Sequence, residues 1–108
     1  MTTVLAYLQD DATSPFDHWV DQLDAVAAVM VQKALTKIEQ GQLGNTKPVG
    51  KGVFEYRIDF GPGYRIYFGK DGPEIVILLG GGSKKGQDRD IFLAHDRWAD
   101  YKRRKNQS

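Results

Sequence analysis

Arg57, Arg65, Lys84, Lys85, Tyr64 and Tyr67 have the side chains needed to hold and strain a phosphodiester. A guanidinium presents a planar fork of N–H donors that matches phosphate oxygens. Two such groups side by side would bind a nucleic-acid backbone and offset the charge that builds on a phosphorane-like transition state. Tyrosine rings offer a surface on which an unpaired base stacks. The two lysines follow Gly80-Gly81-Gly82-Ser83, a glycine-rich stretch that lets backbone approach a ligand closely. A plainer reading is also open, in which Arg57, Asp59 and Arg65 are cross-strand ion pairs on an ordinary exposed sheet face.

Other chemistries find less support. His18 and His95 are far apart, and neither has a partner at metal-ligand spacing. His95 lies one residue from an apolar helical stripe, which suits a half-buried packing role. The chain has no cysteine, so disulfides and thiolate metal sites do not arise. Gly80-Gly81-Gly82 lacks the Gly-Lys-Ser/Thr that completes a nucleotide-phosphate loop, and Ser83 has no base at a recognisable offset. No metal and no cofactor are expected.

The candidate residues must be positioned by strands. From Val53 to Phe60 apolar and polar residues alternate: Phe54, Tyr56, Ile58 and Phe60 face one way, Glu55, Arg57 and Asp59 the other. After Gly61-Pro62-Gly63 the alternation resumes with Tyr64, Ile66 and Phe68. A Gly/Pro tripeptide between two such runs predicts a hairpin. Matching apolar with apolar favours pairing Phe60 with Tyr64, Asp59 with Arg65, Ile58 with Ile66 and Arg57 with Tyr67. Glu74 to Leu79 reads as an interior strand covered on both faces, joined to the hairpin by Asp71-Gly72.

Around this meander the chain reads as helical. Thr3 to Leu8 is a short strand. Ser14-Pro15-Phe16-Asp17 combines an N-cap, a first-turn proline and a first-turn acid. The apolar stripe beyond it runs to a C-cap at Gly41, as two helices or one with a break near Gln22. Gln42 to Lys51 is a loop, Gly80 to Gly86 a flexible basic connection, and Asp88 to Arg104 a helix with Ile91, Ala94, Trp98 and Tyr101 on one face. Trp19 and Trp98 are core residues. The expected architecture is α+β: an antiparallel-dominated sheet, packed on one face by helices and open on the other, where Arg57, Arg65 and Tyr67 stand.

At 108 residues the chain is one domain, 1–108, with the hydrophobic and charged fractions of a soluble globular protein (41% and 27%). Met1-Thr2-Thr3-Val4 does not open a signal peptide and no apolar run reaches membrane-span length, so a cytoplasmic protein is expected. The net charge of +1 conceals an asymmetry: all fifteen lysines and arginines lie at or after Lys33. The later part of the chain therefore suits a polyanion, although charge runs are also ordinary solvated faces.

Gly52 to Phe68, centred on Gly61-Pro62-Gly63-Tyr64-Arg65, resembles the signature of the RelE/ParE superfamily of toxins, in its HigB-like "addiction module killer protein" branch. Leu78 to Lys85, Gln87 to Ile91, Trp98 to Tyr101 and, upstream, Gly41 to Gly50 extend the resemblance over most of the chain. It implies a RelE-like fold and the toxin role in a type II toxin-antitoxin system. The partner implied is a cognate, HigA-like helix-turn-helix antitoxin. The activity implied is a metal-independent, ribosome-dependent endoribonuclease, or mRNA interferase, that inhibits translation. In that chemistry the ribose 2′-OH attacks the adjacent phosphate and the 5′-oxygen leaves.

By position, Arg65 matches the arginine that contacts the scissile phosphate, with Arg57, Lys84 and Tyr67 as further catalytic candidates. Lys85, Tyr64, Arg89 and Lys51 are the RNA-binding candidates. The chain departs from the pattern at Asp59, where RelE-type enzymes carry a basic residue, and at Ile91 and Phe92, where some carry a tyrosine. The general base is unassigned between Tyr67 and a lysine whose pKa cationic neighbours pull down, such as Lys84 beside Lys85. A ParE-like toxin that binds a protein target such as DNA gyrase, or an inactive antitoxin-binding relative, fits the same departures.

Overall fold

Ser14 starts the helical part of the chain as expected. Its hydroxyl accepts a hydrogen bond from the Asp17 backbone N–H at 3.0 Å, and Pro15 occupies the first turn, where a missing N–H costs nothing. This helix, α1 (Pro15–Asp21), is short because Asp24 caps a second one: its carboxylate accepts from the Ala27 N–H at 2.8 Å and opens α2 (Ala25–Glu39). The break near Gln22 is therefore real. The computed structural model describes residues 1–107.

Five strands form one mixed sheet in the order β1-β5-β4-β3-β2. They are β1 (Thr3–Ala6), β2 (Thr46–Pro48), β3 (Val53–Ile58), β4 (Tyr64–Lys70) and β5 (Ile75–Ser83). β1 runs parallel to β5, and the other neighbours are antiparallel. A single 3₁₀ turn (Lys84–Gly86) leads into α3 (Gln87–Gln107). Strand β2 lies inside the stretch expected as loop. It is three residues long and contains Pro48, which only a sheet edge accepts.

The hairpin register differs from expectation by two residues. Arg57 pairs with Arg65, Ile58 with Tyr64 and Tyr56 with Ile66. The parity is right, so apolar still meets apolar, but the connecting loop is longer. The Phe60 N–H turns back to the Ile58 carbonyl at 2.9 Å and the Gly63 N–H bonds to the Phe60 carbonyl at 3.0 Å, which draws Asp59 and Phe60 out of the ladder.

Gly80, Gly81 and Gly82 are not a loop. They end β5, because bulky side chains lie on them: a Cβ at Gly81 would sit 2.3 Å from the Trp19 ring, and one at Gly82 2.0 Å from the Asp90 carboxylate.

The expectation of one open face is overturned. α1 and α2 pack Phe16, Val31, Ala34 and Ile38 against Tyr56, Ile58, Ile66, Phe68, Val76 and Leu78. α3 packs Ala94 and Trp98, with Ile91 and Tyr101 beside them, against Val53, Tyr67, Ile77 and Leu79 on the opposite face. Burial of each such side chain contributes roughly 1.5–3 kcal/mol, so α3 is a structural layer rather than a cover that lifts freely. Its later part is also tied down. Tyr7 donates to Asp100 at 2.6 Å, Tyr101 to Asp71 at 2.6 Å, and Arg104 to the Leu8 carbonyl and to Asp10. No helix among the described residues is long and apolar enough to cross a membrane.

Candidate functional site

α3 begins behind Arg65, with Gln87 on Glu55 and Asp90 over Gly82, and runs away from the hairpin loop toward Asp71, so the loop end of the hairpin is left uncovered. There a cleft of about 410 Å³ is lined by Arg57, Arg65, Lys84, Tyr64 and the loop Ile58–Gly63. The Arg57 N–H bonds outward to the Asn45 carbonyl at 3.1 Å, so the Arg57–Arg65 pair is a non-hydrogen-bonded one, with side chains in their closer setting. Arg57 is exposed and Arg65 is 7% exposed. One carbonyl organises the cleft: Gly63 O accepts from the Lys84 N–H at 2.9 Å and from Arg65 Nη1 at 2.9 Å. Loop tip, lysine and arginine are thereby fixed to each other.

Behind the cleft lies a buried polar cluster. Glu55 is fully buried, and its Oε2 accepts from Gln87 Nε2 at 2.8 Å. Its Oε1 stands 3.6 Å from Arg65 Nε and 3.8 Å from Lys47 Nζ. Tyr67 is also fully buried. Its hydroxyl lies toward Glu55, close enough for the carboxylate to act on the phenol but outside good hydrogen-bonding geometry. Burial, with the negative charges of Glu55 and Asp90 added, pushes the Tyr67 phenol far above its ordinary value of 10.0. On α3, Asp90 lies over Gly82, and burial raises its carboxyl against the opposing pull of Arg89 and Arg97.

The structure thus brings together Arg57, Arg65, Lys84 and Tyr64, and separates the rest. Tyr67 is on the expected face but is fully buried beneath α3 and does not line the cleft. Tyr64 lines the cleft while its ring meets Trp19 edge-on at 6.2 Å. Lys85 is exposed in the 3₁₀ turn beside the lining residue Lys84, Arg89 is exposed in the first turn of α3, and neither lines the cleft. Lys51 lies at the other end of β3, six residues or about 20 Å from Arg57, in the turn that packs on His95 and Trp98. His95 has the packing role expected of it: its Nε2 donates to the Val49 carbonyl at 2.9 Å.

The ion-pair reading of the face fails at its centre. Asp59 is not opposite Arg65, and neither Arg57 nor Asp59 enters a salt bridge among the described residues. Glu55 and Gln87 are the neighbours of the cleft arginine that sequence reasoning missed. Glu55 read as one more polar residue on an open face, and only its burial sets it apart. A second groove of about 510 Å³ shares Arg57, Ile58 and Asp59 with the cleft and adds Lys33 and Lys37 from α2. Among the described residues, no three His, Asp or Glu side chains gather as a metal site would need.

No protein-family model matches the chain. An uncharacterized protein of Haemophilus influenzae is 39% identical over 88 residues, which cover 81% of this chain and 89% of that protein. The chain therefore belongs to the same family as that Haemophilus influenzae protein.

Proposed function

We propose that this chain is the toxin of a type II toxin-antitoxin pair, with a RelE-like fold, and that the hairpin cleft cuts mRNA on the ribosome. The observation that supports this reading most is the Arg57–Arg65 pair. Two guanidinium groups set directly across a ladder repel each other, and while Arg65 is partnered by Gly63 and Glu55, the exposed Arg57 makes no ion pair among the described residues that would offset this. A phosphate between them and Lys84 turns that repulsion into attraction. In the reaction the 2′-oxygen forms a bond to the adjacent phosphorus and the 5′-oxygen leaves, giving a 2′,3′-cyclic phosphate. Arg57 and Arg65 stabilise the phosphorane charge. With Tyr67 buried, Lys84 in its uncharged form takes the 2′-OH proton and the resulting ammonium gives a proton to the leaving 5′-oxygen, while Tyr64 at the rim offers its ring edge to a base. The partners of this reading are the ribosome with its message and a HigA-like antitoxin, in the cytoplasm.

Brief induction followed by primer extension on cellular mRNA tests it. Cuts within translated codons are expected, and Arg65→Lys, which keeps the charge but loses the fork, should weaken them. Intact message together with growth arrest and DNA damage would instead support a ParE-like toxin acting on a protein target such as DNA gyrase. The sealing of Tyr67 beneath α3 favours that second reading, because it removes the phenolic base from the cleft. Full cutting by Arg65→Lys would reject the site.

A further inference from the structure

A carboxylate with no exposure at all, one strand pair away from the cleft arginines, needs an explanation that the cleft itself does not supply. Glu55 sits in the middle of β3, capped by α3, where an ionised group is costly unless it is closely partnered. Its surroundings are built for it. Gln87, in the first turn of α3, donates to Oε2 at 2.8 Å. Lys47 reaches Oε1 from the edge strand at 3.8 Å, with its own side chain 56% exposed. Arg65 Nε approaches the same oxygen at 3.6 Å. Glu55 Oε1 and Arg65 Nε are both buried and have no hydrogen-bond partner, and they face each other.

The geometry points to Glu55 as a positioning residue that acts through Arg65. The guanidinium is fixed by one hydrogen bond, from Nη1 to the Gly63 carbonyl at 2.9 Å, and its Nε edge is steered by an ion pair with the Glu55 carboxylate at 3.6 Å, a charge contact rather than a hydrogen bond. Nε is buried against Glu55, so Nη2, which makes no hydrogen bond among the described residues, is the nitrogen available to an anion in the cleft. Arginine is a long side chain, and a fixed plane removes its search for the productive orientation before substrate arrives. Gln87 makes the arrangement depend on α3, since the first turn of that helix aims the carboxylate. The catalytic consequence rests on the ribonuclease reading above. The clamp on Arg65 does not.

The test compares wild type, Glu55→Gln, Arg65→Lys and the double variant. The Arg65 Nε–H signal is identified in nitrogen-edited NMR spectra by its loss in Arg65→Lys. It should be visible and slow to exchange in wild type, and shifted or broadened in Glu55→Gln. On ribosomes programmed with a defined message, Glu55→Gln should lower kcat by about tenfold or more with KM within about threefold, because the lost element is orientation rather than affinity. In the Arg65→Lys background the same change should lower kcat little further. An unchanged Arg65 signal, an unchanged kcat, or an equal loss in both backgrounds overturns the inference. Should Glu55→Gln fail to fold, Gln87→Ala, which leaves the buried charge in place, is judged by the same signal and the same kcat criterion. If wild type cuts no message while the Arg65 signal still depends on Glu55, the ribonuclease reading falls and the positioning of Arg65 stands.

Discussion

Arg57→Ala should make the protein more stable and less active at once. Arg57 is exposed and opposes Arg65 in a non-hydrogen-bonded pair, where Cβ atoms lie roughly 4.5–5.5 Å apart. The charges lie at the ends of long side chains, and Arg57 can splay into solvent, so their repulsion in a water-like medium is at most about 1 kcal/mol. Glu55, 3.6 Å from Arg65 Nε, offsets part of this, so about 0.3–1 kcal/mol is the expected gain on truncation. For a domain of this size that raises Tm by roughly 2–6 °C. Screening identifies the origin: at 1 M salt the Debye length falls to about 3 Å, and most of the gain should disappear. Activity should move the other way. A charge-assisted hydrogen bond to phosphate contributes about 1.5–3 kcal/mol, so message cutting should fall roughly tenfold to a hundredfold. Thermal melts at low and high salt, paired with primer extension, measure both. A lower Tm, or a gain that salt leaves intact, would refute the repulsion. Undiminished cutting would refute the cleft.

Tyr67→Phe removes a buried hydroxyl that lies toward Glu55 without a well-formed hydrogen bond. Urea unfolding should show stability unchanged or raised by up to about 1 kcal/mol, with growth inhibition retained, and a collapse of activity would return Tyr67 to the chemistry. For Asp90, burial raises the folded-state pKa above the ordinary 3.8, so the native state holds a proton that the unfolded chain has released. Stability therefore falls as pH climbs from 3.8 through the raised value, and the penalty persists above it. Asp90→Asn should raise the urea midpoint at pH 7 and lose that advantage below the ordinary carboxyl range. Equal midpoints at neutral pH would show that Asp90 has a compensating partner.

Local chemistry announced much of this fold. The Ser14 cap placed the first helix, the choice between two helices and a broken one was settled only by the Asp24 cap seen in the structure, and strict alternation in β3 and β4 fixed which side chains share a face. Parity constrains register only in steps of two, however, and the backbone turn of Phe60 onto Ile58 chose the longer loop. Strand β2 was hidden because three residues with a proline carry no periodicity. The glycines at 80–82 signal a loop until Trp19 and Asp90 are placed on them, and those contacts are tertiary. The second helical layer did leave a trace. An apolar run from Ile75 to Leu79 demands cover on both sides, and the Ile91–Ala94–Trp98–Tyr101 stripe needs a surface to cover. Linking those two demands would have put α3 over Tyr67 and shown Glu55 as buried. The arginine pair itself was legible by residue type and parity, but its isolation from Asp59 was not.

The glycine ledges under the two tryptophans carry a consequence for how this family can change. A Cβ at Gly69 would come 2.5 Å from the Trp98 ring, and one at Gly81 2.3 Å from Trp19. Each ring and its ledge are a lock and key of size, so drift at one member alone either opens a void or forces a clash. Lineages that part with a tryptophan should be found to have refilled the glycine opposite it, and the two positions should be inherited as a couple.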